Sequence, residues 1–248
     1  MRLDSWLAEH GLYKSRTRAA GAIKAGCVSL NGKTLTRTAY DIDDVNGAKL
    51  KCLPDPLEYV GRGALKLEHA LEQFGICVEG LDCVDLGAST GGFTQVLLKH
   101  GAASVTAVDV GHGQLDASLR SDPRVTSAEG CDARDFTAPD GTAFDFLCMD
   151  LSFISVRKLK EKVSALLSPA GSAVVLFKPQ FEVGRGAVGK GGIVRDTARA
   201  LAILAEAAAD YESAGLELRG QCESPVKGGD GNTEYLLFFV KKQLSIDF

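Results

Sequence analysis

Histidines, paired cysteines and long apolar runs are all scarce in these 248 residues, and each scarcity removes a functional class. Four histidines, and seven cysteines spread singly at 27, 52, 77, 83, 131, 148 and 222 with no Cys-x-x-Cys, give neither zinc-site spacing nor a disulfide framework. No obligate metal is expected, and this cysteine usage fits a reducing, cytoplasmic compartment. No unbroken apolar run exceeds six residues, as in Tyr235–Val240, against the ~20 that span a bilayer. The opening Met1-Arg2-Leu3-Asp4 lacks the apolar stretch of a secretory signal, so no membrane partner is expected. Glycine is the one residue in clear excess, 28 of 248, which suggests several backbone loops with a function.

A basic surplus is missing too. Lys plus Arg is 28 against 32 for Asp plus Glu, and the resulting −4 argues against a nucleic-acid footprint. The average conceals an asymmetry. Residues 1–52 hold nine basic side chains (Arg2, Lys14, Arg16, Arg18, Lys24, Lys33, Arg37, Lys49, Lys51) against five acids (Asp4, Glu9, Asp41, Asp43, Asp44). That is +4 for the segment and therefore −8 for residues 53–248. A basic contact module on an acidic body is implied. Two prolines in Leu53-Pro54-Asp55-Pro56-Leu57-Glu58 mark residues 53–58 as a stiff linker, which gives domains over 1–52 and 59–248.

In the small module Leu3, Trp6 and Leu7 recur at helical spacing, with Gly11 as the stop. Ser15 can cap a second helix running to Ala25, with Gly26 just past its end. Val28–Leu30, Asn31-Gly32 and Lys33–Leu35 predict a hairpin on a type I′ turn. Two helices and a hairpin with basic side chains either grip a phosphate backbone or present a solvated charged surface.

The body alternates strand and helix patterns. Strands are predicted at Cys83–Leu86, Ser104–Asp109, Val125–Glu129, Phe144–Asp150 and Ala173–Lys178, with helices at Leu65–Phe74, Phe93–His100, Ile154–Leu167 and Thr197–Ala214. Two β-rich runs, Leu216–Cys222 and Glu234–Val240, close the pattern. The fold class is α/β, a doubly wound parallel sheet with helices on both faces. Such folds bind ligands beyond the carboxyl ends of their strands.

Asp85-Leu86-Gly87-Ala88-Ser89-Thr90-Gly91-Gly92-Phe93 stands at the end of the first body strand, and its glycines let the backbone approach a ligand. About 20 residues on, Asp109 ends the second strand, where a ribose diol is held in related architectures. No lysine follows the loop to hold phosphates, so a nucleoside without pyrophosphate fits. Gly184-x-Gly186-x-x-Gly189 resembles a dinucleotide fingerprint by letter. Gly184–Lys190 approaches a P-loop but has Gly191 where Ser or Thr must hold magnesium. Neither runs directly into a helix, and the stretch is expected to be a flexible substrate or lid loop.

Asp150 and Lys178 end adjacent predicted strands, so both emerge at the edge that carries the glycine loop. Glu234 begins the last strand at that same edge if the final hairpin is antiparallel. Lys66, on the helix before the first body strand, is a fourth candidate that topology alone does not place. Two lysines and two carboxylates around a cleft can bind an anionic backbone and deprotonate a hydroxyl. Singly, each is more commonly a surface salt bridge.

Two resemblances sharpen this. Arg2-Leu3-Asp4, Trp6-Leu7, Ser15-Arg16, Ala22-Ile23, Gly26-Cys27-Val28 and Asn31-Gly32 resemble the S4 RNA-binding domain. In the body, several motifs occur in order: Gly61-Arg62-Gly63-Ala64-Leu65-Lys66-Leu67, Asp85–Phe93, Asp150-Leu151-Ser152-Phe153-Ile154-Ser155 and Lys178-Pro179-Gln180-Phe181-Glu182-Val183-Gly184. Val188–Asp196, Ser224-Pro225-Val226-Lys227-Gly228 and Gly231-Asn232-Thr233-Glu234-Tyr235 complete the set. With the S4 module, the chain resembles the TlyA (haemolysin A) family of ribosomal RNA 2′-O-methyltransferases.

That resemblance implies a Rossmann-like class I methyltransferase of the RrmJ/FtsJ type, with a mostly parallel seven-stranded sheet whose last strand is antiparallel, behind a small α+β S4-like domain. It implies S-adenosylmethionine as cofactor, held by Asp85, Gly87, Ala88, Ser89, Gly91, Gly92, Phe93, Asp109, Asp132 and Asp150. It implies a catalytic tetrad of Lys66, Asp150, Lys178 and Glu234. RNA contacts are expected from Arg2, Lys14, Arg16, Arg18, Lys24, Lys33 and Arg62. The family methylates a cytidine ribose in small-subunit, and in some members large-subunit, ribosomal RNA within ribosomal subunits. This chain departs from the family in having Gly61-Arg62-Gly63-Ala64 where Ser-Arg-Gly-Gly is frequent, Asp132 where Asn is common, and Gln95 in place of an acid. Lys178 is either the general base or the stabiliser of the developing oxyanion. A free lysine titrates near ~10.4, so the base role calls for burial or a second cation nearby, whereas carboxylates oppose it. Competing functions are a membrane-active haemolysin, a pseudouridine synthase and a non-catalytic ribosome-binding protein.

Overall fold

The computed structural model describes residues 1–38, 40–41, 49–189 and 191–242, in two compact units, Met1–Leu65 and Lys66–Phe248. Asp43, Asp44 and Lys190, which entered the charge count and the glycine-loop motifs, lie outside the described residues.

The first unit starts with helix α1 (Leu3–Glu9) and helix α2 (Arg16–Lys24). The Ser15 side chain accepts the Arg18 backbone N–H at 3.3 Å, which satisfies one of the free donors of the first turn of α2. Strands β1 (Val28–Leu30) and β2 (Lys33–Leu35) form the expected hairpin, turning through Asn31 (φ 49°) and Gly32 (φ 79°). A third strand, β3 (Leu50–Cys52), pairs with the other side of β1 and was not expected from sequence. Leu3, Leu7, Ala22, Ile23 and Val28 are fully buried and form the small core.

Residues 53–58 differ from the expected stiff linker by packing into this unit. The buried Asp55 carboxylate accepts the Leu57 N–H at 3.0 Å and the Arg18 Nε–H at 2.5 Å, and Tyr13 donates its hydroxyl to the Leu53 carbonyl at 2.8 Å. The segment holds two prolines, but its polar partners lie on α2 and on the turn before it.

Helix α3 (Ala64–Phe74) leads into the second unit, which continues as β4 (Asp82–Leu86), α4 (Gly92–Lys99), β5 (Ser104–Asp109), α5 (Ala117–Arg120) and β6 (Val125–Glu129). It then runs through β7 (Phe144–Met149), α6 (Lys160–Leu166), β8 (Leu167–Phe177), α7 (Pro179–Glu182), α8 (Thr197–Ser213), β9 (Leu216–Glu223) and β10 (Tyr235–Lys241). The seven strands lie in the order β6-β5-β4-β7-β8-β10-β9. β4, β5, β6, β7 and β8 are parallel, and β10 is antiparallel to both of its neighbours. β7 and the end of β8 are apolar almost without interruption because helices cover both faces of the sheet.

The chain steps outward from β4 to β6 and returns to β7 on the opposite side of β4. The β4–β7 boundary is therefore the switch point where a crevice opens. β8 begins at Leu167 rather than near Ala173, and Ile154–Leu167 divides into a short 3₁₀ turn, Val156–Leu159, followed by α6.

Candidate active site

The sheet itself assembles the site. Asp150 follows β7, and its N–H bonds the Leu86 carbonyl at 3.0 Å, so the β4 pairing continues one residue past the strand and fixes where the carboxylate emerges. Lys178 follows β8 directly. Tyr235 of β10 faces Phe177 of β8, so the antiparallel strand delivers Glu234 to the edge where Lys178 emerges. Lys66, one turn into α3, reaches the same point.

The four charges alternate in a row. Lys178 Nζ lies 2.6 Å from Asp150 Oδ1, an ion contact off the hydrogen-bond direction. Asp150 Oδ2 is 3.5 Å from Lys66 Nζ, which donates to Glu234 Oε2 at 2.7 Å. Lys178 Nζ also donates to Ser152 Oγ at 2.9 Å. Lys66, Lys178 and Glu234 are 8%, 7% and 2% exposed, so these charges offset one another in a poorly solvated place.

Beside the row lies a cleft of about 770 Å³, lined among others by Gly87, Ser89, Asp109, Val110, Asp150 and Phe153. Gly87 has φ +89°, and a Cβ there would sit 2.4 Å from the Asp150 carbonyl, so only glycine lets β4 and β7 part at this spacing. Asp109 accepts the N–H groups of Ser89 (2.8 Å) and Gly111 (2.7 Å), which aims its carboxylate from the end of β5. Val110 projects into solvent on the rim, and the Gly87–Gly92 loop carries no cation. This donor set suits a nucleoside without phosphates: a carboxylate for a diol, an apolar wall for a base, and room at the glycine for close approach.

Several expected cofactor residues are not in the cleft lining. Asp85 is fully buried beneath the loop, where one oxygen accepts the Thr94 N–H (2.9 Å) and hydroxyl (2.7 Å) at the start of α4. Burial pushes its pKa up to about 7. Ala88, Gly91, Gly92 and Phe93 shape the loop and the helix start, and Phe93 is buried. Asp132 does line the cleft, but Arg134 takes both its oxygens (2.9 and 2.5 Å) and holds its pKa down at about 2.

Among the expected RNA contacts, Arg2 and Arg16 share Asp4, Arg18 pairs with Asp55, and Lys14 pairs with Glu58 at 2.7 Å. Lys24, Lys33 and Arg62 are exposed and form no ion pair among the described residues. The Gly184–Gly192 stretch, expected as a flexible substrate or lid loop, is pinned at Gly189 and Gly192. The buried Asn232 accepts the Val194 N–H at 2.9 Å and donates to the Gly192 carbonyl at 2.8 Å. Asn232 and Ser152 both stood inside motifs in the sequence, but pattern alone gave neither a task.

The FtsJ-like methyltransferase model matches residues 59–241, and the S4 domain model matches residues 1–44. The 16S/23S rRNA (cytidine-2′-O)-methyltransferase TlyA of Mycobacterium tuberculosis is 44% identical over 239 residues, covering 96% of this chain and 88% of that protein. Hemolysin A of Brachyspira hyodysenteriae is 42% identical over 242 residues, covering 97% of this chain and 100% of that protein. A solved Streptococcus thermophilus structure described as a hemolysin superposes with a TM-score of 0.72 at 39% identity, covering 98% of this chain and 88% of that one. An S-adenosylmethionine dependent methyltransferase from Listeria monocytogenes shares the fold, with a TM-score of 0.53 at 18% identity over 70% of this chain and 97% of that one. Matches of this extent, on a sheet whose switch-point cleft adjoins four alternating charges, make the chain, with its S4 domain, a member of the FtsJ-like methyltransferase family, similar over nearly its whole length to TlyA and Hemolysin A.

Proposed function

We propose that this protein methylates the ribose 2′-hydroxyl of a cytidine in ribosomal RNA, using S-adenosylmethionine. The observation that carries the proposal is the buried Lys178–Asp150–Lys66–Glu234 row beside a nucleoside-sized cleft. The activity printed for the Mycobacterium tuberculosis relative supports the choice of cytidine and of ribosomal RNA.

When bound, S-adenosylmethionine supplies a methyl group activated by its sulfonium. Asp109 would hold the ribose diol of the cofactor, the loop from Gly87 to Gly92 would let it approach, and Val110 would cover the base. Alignment of the reactants accounts for up to ~7–11 kcal/mol of such a barrier. The remaining chemistry concerns the 2′-hydroxyl, which loses its proton as its oxygen bonds to carbon. Lys178 borders the cleft through two of its lining residues, Asp150 and Ser152, and its Nζ accepts that proton. Asp150, Lys66 and Glu234 orient it and offset its charge. A second reading is favoured by the 2.6 Å contact with Asp150: Lys178 stays a cation and holds the developing alkoxide, and the hydroxyl proton passes to water.

A Lys178→Arg variant separates the two readings, because guanidinium keeps the charge but does not take up a proton in the working range. The base role predicts a loss of ~100-fold or more in kcat across the pH–rate profile. Wild-type activity would leave only the cation role.

The S4-like residues, with Arg62 beyond them, are the proposed RNA grip: Lys24, Lys33 and Arg62 meet phosphate directly, and Arg2, Lys14, Arg16 and Arg18 exchange a carboxylate for it. The cytoplasm is the proposed compartment, in line with cysteines spread singly along the sequence without a Cys-x-x-Cys. A membrane-lytic role has less support, since no helix of the described residues is long and apolar enough to cross a bilayer. The deciding experiment is transfer of tritiated methyl groups to isolated ribosomal subunits, with the labelled nucleotide mapped. Label on a ribose 2′-oxygen, lost in Lys66→Ala and Lys178→Ala, is expected. Label on a base, or transfer that survives both substitutions, would overturn the assignment.

A further inference from the structure

Lys178 and Asp150 leave the sheet on separate segments, and the two segments stay together along their length. Beyond the 2.6 Å ion contact, Lys178 bonds Ser152, and the rings of Phe153 and Phe181 lie 5.2 Å apart. Glu182 then closes the row. Its Oε2 accepts the Ser155 hydroxyl at 2.6 Å and its Oε1 accepts the Val156 N–H at 2.8 Å. We propose that Glu182 is a positioning residue: a bidentate clamp from the segment after Lys178 to the segment after Asp150, which sets the separation of those two groups.

Three observations favour this over ordinary packing. Phe153 has φ +67° and is 92% exposed, so an aromatic side chain stands in the left-handed region without burial to hold it there. Such a conformation persists only when both flanks are anchored. The Asp150 N–H bond to Leu86 anchors one flank, and Glu182 anchors the other. Secondly, Glu182 is a half-buried carboxylate with no ion pair among the described residues, and burial pushes its pKa up. A carboxylate kept at that cost contributes through its two acceptors. Thirdly, the far side of the clamp is rigid: the fully buried Tyr211 donates its hydroxyl to the Val156 carbonyl at 2.8 Å, and Arg157 pairs with Asp210 and Glu206 of α8.

The inference rests on the reading of Lys178 and Asp150 as catalytic, and its test is separable from that reading. Steady-state kinetics of the full chain with ribosomal subunits would be measured for Glu182→Ala, Glu182→Gln and Ser155→Ala, with melting temperature and S-adenosylmethionine affinity recorded for each. A misplacement of about 1 Å predicts a kcat loss of ~10–100-fold in Glu182→Ala with cofactor Kd within ~2-fold of wild type. Glutamine keeps an acceptor for Val156 and can donate to Ser155, so Glu182→Gln is expected to recover to within ~3-fold of wild type. Should Glu182→Ala not fold, Ser155→Ala removes one clamp bond alone and is expected to lower kcat several-fold. Unchanged kcat in folded Glu182→Ala or Ser155→Ala, or failure of glutamine to restore it, would overturn the clamp. Undiminished transfer by Lys178→Ala would instead overturn the reading beneath it.

Discussion

At the residue scale, Asp85, expected from the sequence among the cofactor residues, is enclosed beneath the glycine loop. Its carboxyl is wholly enclosed and bonds Thr94 through one oxygen, while the other oxygen has no hydrogen-bond partner among the described residues. Burial raises its pKa from the usual 3.8 to about 7, so the native state holds a proton that the unfolded chain releases. Stability is therefore lost as pH climbs from about 4 to about 7, by roughly 4 kcal/mol in full. Asn keeps the acceptor for Thr94 and has no such titration. Denaturant unfolding at about pH 5 and about pH 8 should show Asp85→Asn gaining on wild type at the higher pH. An Asp85→Asn advantage that is the same at both values would show that Asp85 ionises normally. Ser152, by contrast, meets Lys178 through one hydrogen bond, and Glu182 meets Ser155 and Val156 through two, none of which a residue pattern announces.

Elements differ in how far they could be read in advance, and the reason is the range of the interactions that define them. The Asn31-Gly32 hairpin and the Ser15 cap are local, and both appear as expected. The strand up to Asp109 is buried from Val105 to Val108, as a covered parallel strand requires, whereas Val125–Glu129 lies at the sheet edge and is partly exposed. β3 and α5 have three and four residues, too few for a period to show. The start of β8 reads as a turn because it holds Pro169 and Gly171, and the pairing with β7 shifts register there, from Leu167 opposite Phe144 to Ser172 opposite Phe146. Lys66 meets Glu234 across 168 residues, so their union depends on the whole sheet and not on either segment. The cofactor loop was legible as a loop, but which of its residues face the cleft was not. At Gly87 the separation of β4 and β7 leaves no space for a side chain. Gly87→Ala should cost about 1–3 kcal/mol of stability and weaken S-adenosylmethionine binding at least ~10-fold by calorimetry, because the added methyl strains φ and pushes Asp150 aside. Unaltered affinity would place the cofactor away from this turn.

For the molecule as a whole, net charge misleads because it sums unlike parts: +4 over residues 1–52 and −8 over the remainder of a −4 chain. If the S4-like unit grips phosphates, affinity for ribosomal RNA falls linearly with the logarithm of salt concentration. Replacing Lys24 and Lys33 by Ala should reduce that slope by about 2. A slope equal to wild type would remove both from the interface. The antiparallel placement of β10 bears on timing. β10 comes last of the strands yet lies between β8 and β9, and it brings Glu234 with it. A growing chain that has emerged only through β9 already contains Lys66, Asp150 and Lys178, but its sheet has a gap and its two lysines share one acid. Insertion of β10 joins β9 to β8 and completes the charge row in one event; if that row does the chemistry proposed for it, an incompletely made copy is expected to stay silent beside its RNA.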